Sequence, residues 1–175
     1  MVELGSLTLA EMARLAERRR LPPVERWEPP HCGHSRMRIA RDGSWHHEGR
    51  PILRPAMVRL FASILRRELD GGYVLVTPVE KLAIDVEDAP FVAVEMKREG
   101  KGRAARLGFR LNTGDFVVAG PDHRLRLGGE RPYLEVRRGL DALLARPVWY
   151  ELAELALGED GVWSGGAFFA IGGGA

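Results

Sequence analysis

The sequence contains a single cysteine, Cys32, in 175 residues. One cysteine cannot form an internal disulfide, which is typical of proteins in a reducing compartment. The first twenty residues also lack the continuous apolar stretch and the small-residue cleavage site of a secretory signal. We therefore expect a cytoplasmic protein.

Long hydrophobic runs and an excess of one charge are absent as well. Apolar runs such as Tyr73-Val74-Leu75-Val76 fall far short of the roughly 20 residues that a membrane helix needs. The 26 basic and 24 acidic residues leave a net charge of +2. The two signs are interspersed, whereas a nucleic-acid-binding protein usually concentrates its positive charge. We expect neither a membrane nor a nucleic-acid polymer as a partner.

The chain does contain enough apolar sequence to bury a core. Hydrophobic residues make up 45% of it and charged residues 29%, which excludes wholesale disorder and collagen-like repetition. The length suits one compact domain or two very small ones that share an interface.

The N-terminal part alternates helical and extended patterns. Thr8-Leu9-Ala10-Glu11 has the spacing of a capping box and predicts a helix over the next ten residues or so. Four prolines within residues 21–35 predict an extended segment. Asp42-Gly43 then predicts a hairpin turn between two short strands.

A second helix is predicted to begin at Pro55, because proline favours the first helical turn. Its apolar stripe at helical period predicts the face that packs on the core. The stripe consists of Met57, Leu60, Phe61, Ile64 and Leu65. A buried strand is predicted after it, at residues 73–77.

After Pro78 the hydrophobic period changes to two, which predicts half-buried strands. Seven strands are predicted, followed by a helix at residues 147–157. The strands are residues 82–87, 92–97, 106–111, 116–119, 124–127, 133–137 and 140–145. Seven antiparallel strands closed by one helix is the element order of a pleckstrin-homology-like barrel.

Short motifs in the two halves echo each other. Arg41-Asp42-Gly43 and then Arg54-Pro55 match Arg137-Arg138-Gly139 and then Arg146-Pro147. The echo predicts a repeated unit of a hairpin, a helix that begins at Arg-Pro, and a strand. We therefore predict an α+β fold of two related lobes from an internal duplication, at residues 1–79 and 80–175. The second lobe is expected to be a pleckstrin-homology-like antiparallel barrel capped by a helix.

Spaced motifs that occur in order along most of the chain carry a family resemblance. They are Asp42-Gly43-Ser44-Trp45, Thr77-Pro78-Val79-Glu80-Lys81, Val86-Glu87-Asp88-Ala89-Pro90-Phe91, Asn112-Thr113-Gly114-Asp115 and Val162-Trp163-Ser164-Gly165-Gly166-Ala167-Phe168-Phe169. From about Pro22 onward the chain resembles the bacterial domain-of-unknown-function family 1285. The resemblance implies a duplicated core with a pleckstrin-homology-like C-terminal lobe. It also implies a role in signal transduction, through a nucleotide-like ligand at the interface between lobes.

His31-Cys32-Gly33-His34 and His46-His47 are the candidate metal ligands. Zinc needs three or four converging ligands, and this spacing matches no standard zinc pattern. Adjacent residues of a strand also point to opposite faces, which separates His46 from His47. His34 departs from the family pattern, in which an acidic residue is more common there. We therefore predict no metal and no cofactor.

Glu80 and Lys81 lie where the first predicted lobe meets the second. Such a pair suits a phosphate and a ribose hydroxyl, although it is alternatively an ion pair at a strand start. Asn112 and Asp115 offer backbone donors and a carboxylate for the same ligand, and Asp88 offers another carboxylate. Such sequences are also typical of simple turns.

Three arginines complete the candidate site, together with an aromatic residue and a histidine. Arg41, Arg54 and Arg110 suit bidentate contacts to an anion, or each is a solvated or carboxylate-paired arginine. Trp45 is a candidate for stacking on a base, or it belongs to the core. His123 is a candidate for ligand binding or acid–base chemistry, or it belongs to a turn.

These features favour a non-catalytic sensor or adaptor that binds a small anionic, nucleotide-like ligand between the two lobes. The alternative is an adaptor that binds a protein or peptide through the barrel lobe. A second alternative is an acid–base enzyme that uses Glu80, Lys81 or His123. No nucleophile–base pair is evident in the sequence to support it.

Overall fold

The computed structural model describes residues 8–18 and 20–172, which form two compact units. The N-terminal lobe comprises residues 20–90 and 138–140, and the C-terminal lobe comprises residues 8–18, 91–137 and 141–172. The boundary between the lobes therefore lies at residues 90/91 and not at the predicted 79/80. The reason is that strand Glu80–Val86 pairs with strand Tyr73–Val76 inside the N-terminal sheet.

The described residues contain three α-helices, each of which begins within one residue of its predicted start. They are α1 (Leu9–Arg18), α2 (Pro55–Ser63) and α3 (Arg146–Leu155), with short 3-10 helices at Val24–Arg26 and Gly102–Ala104. The capping box is confirmed, since the Glu11 N–H donates to Thr8 Oγ1 at 3.1 Å and the Thr8 N–H donates to Glu11 Oε2 at 2.7 Å. Helices α2 and α3 both carry a proline in their first turn.

Six strands form the sheet of the N-terminal lobe. They are β1 (His31–Ile39), β2 (Trp45–His47), β3 (Arg50–Pro51), β4 (Leu65–Arg67), β5 (Tyr73–Val76) and β6 (Glu80–Val86). Their order across the sheet is β3-β2-β1-β6-β5-β4. The central pair, β1 and β6, is parallel, and the other neighbours are antiparallel.

Six further strands form the curled sheet of the C-terminal lobe, a half-barrel. They are β7 (Phe91–Glu99), β8 (Arg106–Leu111), β9 (Phe116–Val118), β10 (Leu125–Arg126), β11 (Tyr133–Arg137) and β12 (Leu140–Leu144), in the order β10-β11-β12-β7-β8-β9. The expected purely antiparallel arrangement needs one correction, because β7 and β12 are parallel. After α3, strands β13 (Gly161–Ser164) and β14 (Ala167–Ala170) form a separate antiparallel hairpin.

The two six-stranded sheets have the same topology, which confirms the predicted pair of related lobes. Each sheet joins two sets of three consecutive strands, and the first strand of the first set pairs in parallel with the last strand of the second. Strands β1 to β6 thus correspond in order to β7 to β12. The repeated unit differs from the predicted one, because α2 lies between the third and fourth strands whereas α3 follows the sixth. The Arg-Pro echo marks two similar helix starts at non-equivalent places.

Helix α2 packs on its sheet through a narrower face than its apolar stripe predicts. The Phe61 ring stacks on the buried Trp45 ring, with centroids 6.4 Å apart, and Ala62 is buried. Met57 and Leu60, which the stripe assigned to the core, are 39% and 61% exposed.

Helix α1 belongs to the C-terminal lobe and not to the first lobe as predicted. Its Leu9 side chain is fully buried, and the Leu9 N–H donates to Glu99 Oε1 of β7 at 2.9 Å. The helix was assigned to the first lobe because it lies close to that lobe in the sequence. Glu99, which binds it, lies 90 residues further along the chain. In the same lobe, α3 buries Val148 and Leu152.

A buried arginine ties the proline-rich segment to the N-terminal sheet. Arg66 of β4 is only 5% exposed. Its Nη1 donates to the carbonyl oxygens of Val24 and Trp27, both at 2.7 Å. Its Nε and Nη2 donate to the Glu68 carboxylate at 3.0 and 3.1 Å. These bonds hold a segment whose prolines cannot donate backbone hydrogen bonds of their own.

We predict that Arg66→Ala lowers the free energy of unfolding by about 3 kcal/mol, because it leaves two carbonyls without their donor and takes from Glu68 the guanidinium that binds it. Urea denaturation measures the change. Arg66→Lys should recover only part of the loss, since one ammonium cannot replace a planar fork of donors. The matched control is Arg26→Ala, an exposed arginine of the same segment, which should change stability by less than about 0.5 kcal/mol. Equal effects of Arg66→Ala and Arg26→Ala would contradict the anchoring role.

Candidate functional site

The ten residues predicted to bind a ligand are divided between the two lobes. The N-terminal lobe holds Arg41, Trp45, Arg54, Glu80, Lys81 and Asp88, and the C-terminal lobe holds Arg110, Asn112, Asp115 and His123. The contacts of each group show which side chains stabilise the fold.

Lys81 forms the ion pair that was the alternative to ligand binding. Its Nζ lies 2.9 Å from Glu68 Oε1, and Glu68 is the same carboxylate that accepts from Arg66. The hydrogen bond from Arg66 is the main reason that the pKa of Glu68 is lowered, and the bond to Glu68 raises the pKa of Lys81. The neighbouring Glu80 uses its backbone N–H, which donates to Thr77 Oγ1 at 3.1 Å in a turn.

The other N-terminal candidates differ in how accessible they are. Trp45 is only 2% exposed and stacks on Phe61, so the predicted stacking on a ligand base is replaced by a place in the core. Arg41 and Arg54 are exposed and Asp88 is half-buried. The Arg41 backbone N–H donates to Glu87 Oε2 at 2.9 Å.

The C-terminal candidates mainly hold turns and strand pairs. Asn112 Oδ1 accepts from the Val92 N–H at 3.0 Å, and Asp115 Oδ2 accepts from Thr113 Oγ1 at 2.9 Å. Arg110 forms an ion pair with Glu95. His123 Nδ1 lies 3.2 Å from the Glu135 carbonyl oxygen. These contacts fit the turn and ion-pair alternatives that the sequence left open.

The C-terminal lobe also contains a pocket that combines cations with an apolar floor. Its volume is about 190 Å³. Ala105, Leu107, Leu155, Val162 and Trp163 supply the apolar lining, and Arg98, Lys101 and Glu159 supply the charged groups, with Gly102 and Gly161 between them. We call it the Arg98–Lys101 pocket.

Two glycines shape the walls of the Arg98–Lys101 pocket. Gly100 has a φ of +77°, and a Cβ there would lie 2.9 Å from the Ala104 carbonyl oxygen. This tight turn presents Lys101 next to Gly102. A Cβ at Gly161 would lie 2.2 Å from the Phe169 carbonyl oxygen, so the close approach of β13 to β14 requires glycine at this position.

Trp163 is held in place from two sides. The Arg103 guanidinium lies 5.2 Å from the centre of the Trp163 ring system, and the Phe168 ring packs against it at a tilt of 54° with centroids 5.2 Å apart. Cation–π and aromatic contacts of this kind fix an indole without a hydrogen bond. The pocket therefore has one wall that is both aromatic and flanked by positive charge.

The positive charges of the pocket are not neutralised by the fold. Arg98 and Lys101 are exposed, and within the described part of the chain neither forms an ion pair with a carboxylate. Glu159 is the one acidic residue of the lining. An anion entering the pocket would thus meet two unpaired cations beside an apolar surface.

Two other open pockets of this lobe are less suited to an anion. One, of about 380 Å³, contains His123 and Arg106 but also Asp122. The other, of about 420 Å³, contains Arg126, whose Nη2 already donates to Asp141 Oδ2 at 2.7 Å.

Among residues 8–18 and 20–172, no group of three or more His, Cys, Asp or Glu side chains could hold a metal ion. His34 Nε2 lies 3.4 Å from Asp85 Oδ1, and His46 Nε2 lies 2.9 Å from Ser44 Oγ. No helix within the same residues is long and apolar enough to cross a membrane.

Sequence analysis missed the residues of the Arg98–Lys101 pocket. Gly100-Lys101-Gly102 is visible as a turn, and Trp163 lies in a family motif, but they are separated by about 60 residues. Only the packing of β13 and the end of α3 beside that turn brings them together. The one local signal in the sequence was the Gly100-Lys101-Gly102 turn, which follows a predicted strand and Arg98.

Comparisons with known proteins assign both lobes to one family. The N-terminal domain model of the domain-of-unknown-function family DUF1285 matches residues 22–89, and the C-terminal domain model matches residues 90–171. A crystal structure of a DUF1285 family protein from Silicibacter pomeroyi DSS-3 is 46% identical, with a TM-score of 0.82 and 94% of each chain covered. One from Shewanella baltica OS155 is 30% identical, with a TM-score of 0.56, covering 68% of this chain and 91% of its own. No curated protein matches.

The lowered pKa of Glu68 predicts a pH-dependent stability. A carboxylate whose pKa is lower in the folded state stabilises fully above its ordinary value of 4.5, and this contribution is lost as the pH falls through the folded value. We predict that Glu68→Gln is less stable than the wild type by about 2 kcal/mol at pH 7, and that the gap narrows below pH 4.5. Urea denaturation across pH 3–7 measures it.

The matched control is Glu151→Gln, at an exposed position of α3, which should track the wild type throughout. A Glu68→Gln deficit that stays constant down to pH 3 would show that the charge of Glu68 does not carry the stabilisation.

Proposed function

The chain belongs to the DUF1285 family, and we propose that it is a non-catalytic binding protein for a small, nucleotide-like anion, acting as a sensor or adaptor in signal transduction. The proposed site is the Arg98–Lys101 pocket. The observation that carries the proposal is the pair of unpaired cations, Arg98 and Lys101, beside the apolar floor and Trp163.

The chemistry of the pocket suits a phosphorylated ligand with a planar ring. Arginine offers a bidentate fork to phosphate, and lysine adds a compact point charge. Leu107, Val162 and Trp163 offer an apolar surface against which a base or another flat ring would lie. The nucleotide-like character of the ligand is suggested by the family resemblance, and the positive charge supports the anionic part.

The lining favours binding over catalysis. Histidine, cysteine and hydroxyl side chains are frequent nucleophiles and proton carriers in enzymes. The described residues of the lining include none of them. Two titratable groups of the lining, Lys101 and Glu159, are both exposed. The acid–base alternative relied on Glu80, Lys81 or His123, and Lys81 is already bound to Glu68.

The proposal keeps the expected cytoplasmic location, which the single cysteine favours. Binding of a protein or peptide through the barrel lobe is the alternative. It is separated from ligand binding by the experiment that follows.

We predict that one or more members of a panel of nucleotides, cyclic dinucleotides and phosphorylated metabolites raises the melting temperature of the full chain in a saturable way. Isothermal titration calorimetry then gives the affinity. Lys101→Ala and Arg98→Ala should each weaken binding by about tenfold or more, because each removes a charge-assisted hydrogen bond. Mass spectrometry of the incubated ligand should find it unchanged.

Two variants serve as controls. Arg138→Ala removes an exposed arginine outside the pocket lining, and Lys81→Ala removes the lysine first predicted to bind the ligand; both should keep wild-type affinity. Loss of affinity in Lys81→Ala but not in Lys101→Ala would place the site elsewhere. Conversion of the ligand would overturn the non-catalytic proposal, and a panel without any stabilising member would overturn ligand binding.

A further inference from the structure

The N-terminal lobe presents a cluster of apolar side chains on α2 that its core does not use. Leu53, Met57 and Leu60 are 83%, 39% and 61% exposed. Met57 and Leu60 are three residues apart in a helix and are therefore neighbours on one face, and Leu53 lies two residues before the helix begins. Isolated exposed apolar residues, such as Leu69 in its turn, are ordinary, whereas a cluster marks an interaction surface.

Arginines border this apolar stripe. Arg54 immediately precedes α2, and Arg59 is turned about 100° around the helix from Leu60. Both are exposed, and neither pairs with a carboxylate of the described residues. The sequence has no Asp or Glu between Glu48 and Glu68, so the positive charge around the stripe has no acidic counterpart nearby in the chain.

We propose that the α2 surface, defined as Leu53, Met57 and Leu60 with Arg54 and Arg59, docks an acidic amphipathic helix of a partner protein. Helices that bind in this way insert apolar anchors spaced by one and two turns. Carboxylates that flank such anchors are complementary to the arginines on either side of the stripe. The flexible thioether of Met57 adapts to different anchor shapes.

The same features argue against two other occupants. A second copy of this chain would place the arginines of one stripe against those of the other, and like charges at an interface are repulsive. A lipid bilayer binds amphipathic helices through a large apolar face. By contrast, α2 is only nine residues long, and the exposed apolar cluster in it and just before it has three side chains. The α2 surface shares no residue with the Arg98–Lys101 pocket, so the two proposals can be tested independently.

The experiment uses the ¹⁵N-labelled full chain and a synthetic acidic helical peptide. The peptide, of about 15 residues, carries leucines at i, i+3, i+4 and i+7 flanked by glutamates. Saturable amide shifts are expected at residues 53–63. Leu60→Ser should weaken binding by about tenfold, and the double variant Arg54→Ala, Arg59→Ala by at least as much.

Matched controls separate apolar docking from general attraction. Leu69→Ser removes a still more exposed leucine of the same lobe and should bind like the wild type. A peptide with lysines in place of glutamates should leave the α2 amides unshifted. Because Leu60 is exposed, Leu60→Ser should keep all amide positions away from α2, which shows that the variant is folded.

Several results would overturn the proposal. They are an absence of α2 shifts, equal binding by Leu60→Ser, and equal binding of the lysine peptide. Shifts of the α2 amides that depend on protein concentration without peptide would indicate a second copy instead. Shifts with vesicles of phosphatidylglycerol and phosphatidylcholine, but not with the acidic peptide, would indicate a lipid surface.

Discussion

The fold of each lobe depends on one pairing, the parallel contact between the first strand of its sheet and the last. In the N-terminal lobe β1 pairs with β6, and in the C-terminal lobe β7 pairs with β12. Each pairing joins two sets of three strands into one sheet, through residues that lie about 50 positions apart in the sequence. Without it each lobe would be two separate three-stranded ribbons with additional open edges.

In both lobes, some cations are paired with carboxylates and others are not. In the N-terminal lobe, Arg66 and Lys81 are bound to Glu68, so these cations stabilise the fold. In the C-terminal lobe, Arg126 is bound to Asp141. Arg98 and Lys101 of the Arg98–Lys101 pocket, and Arg54 and Arg59 at α2, have no such carboxylate partner among the described residues. An unpaired exposed cation adds little to stability, so these four side chains remain available to an anionic partner.

The sequence predicted the local elements well, because their signals are local. The Thr8 and Glu11 capping box, the proline at the start of α2 and the alternating pattern of β8 each depend on residues within one turn or one strand. The parallel pairs were not predictable in this way, since the residues that meet across β7 and β12 are about 50 positions apart. The same limit explains why α1 was assigned to the wrong lobe, and why Trp45 was weighed as a ligand contact although it fills the core.

The candidate site shows this limit most clearly. Sequence reasoning selected polar residues in turns, and the contacts of Asn112, Asp115 and Lys81 are largely with the protein itself. The pocket instead arises where a turn with two positive-φ glycines meets a strand some 60 residues later. No pattern within a single segment of the sequence predicts that this turn and this strand lie side by side.

Mapping a bound ligand by NMR would show whether an anion binds at the Arg98–Lys101 pocket. The ¹⁵N-labelled full chain would be titrated with the panel member that stabilises it most. We expect saturable shifts of the amides of residues 98–105 and of the Trp163 indole N–H. Shifts confined to residues around Lys81, or no shifts at saturating ligand, would contradict this expectation.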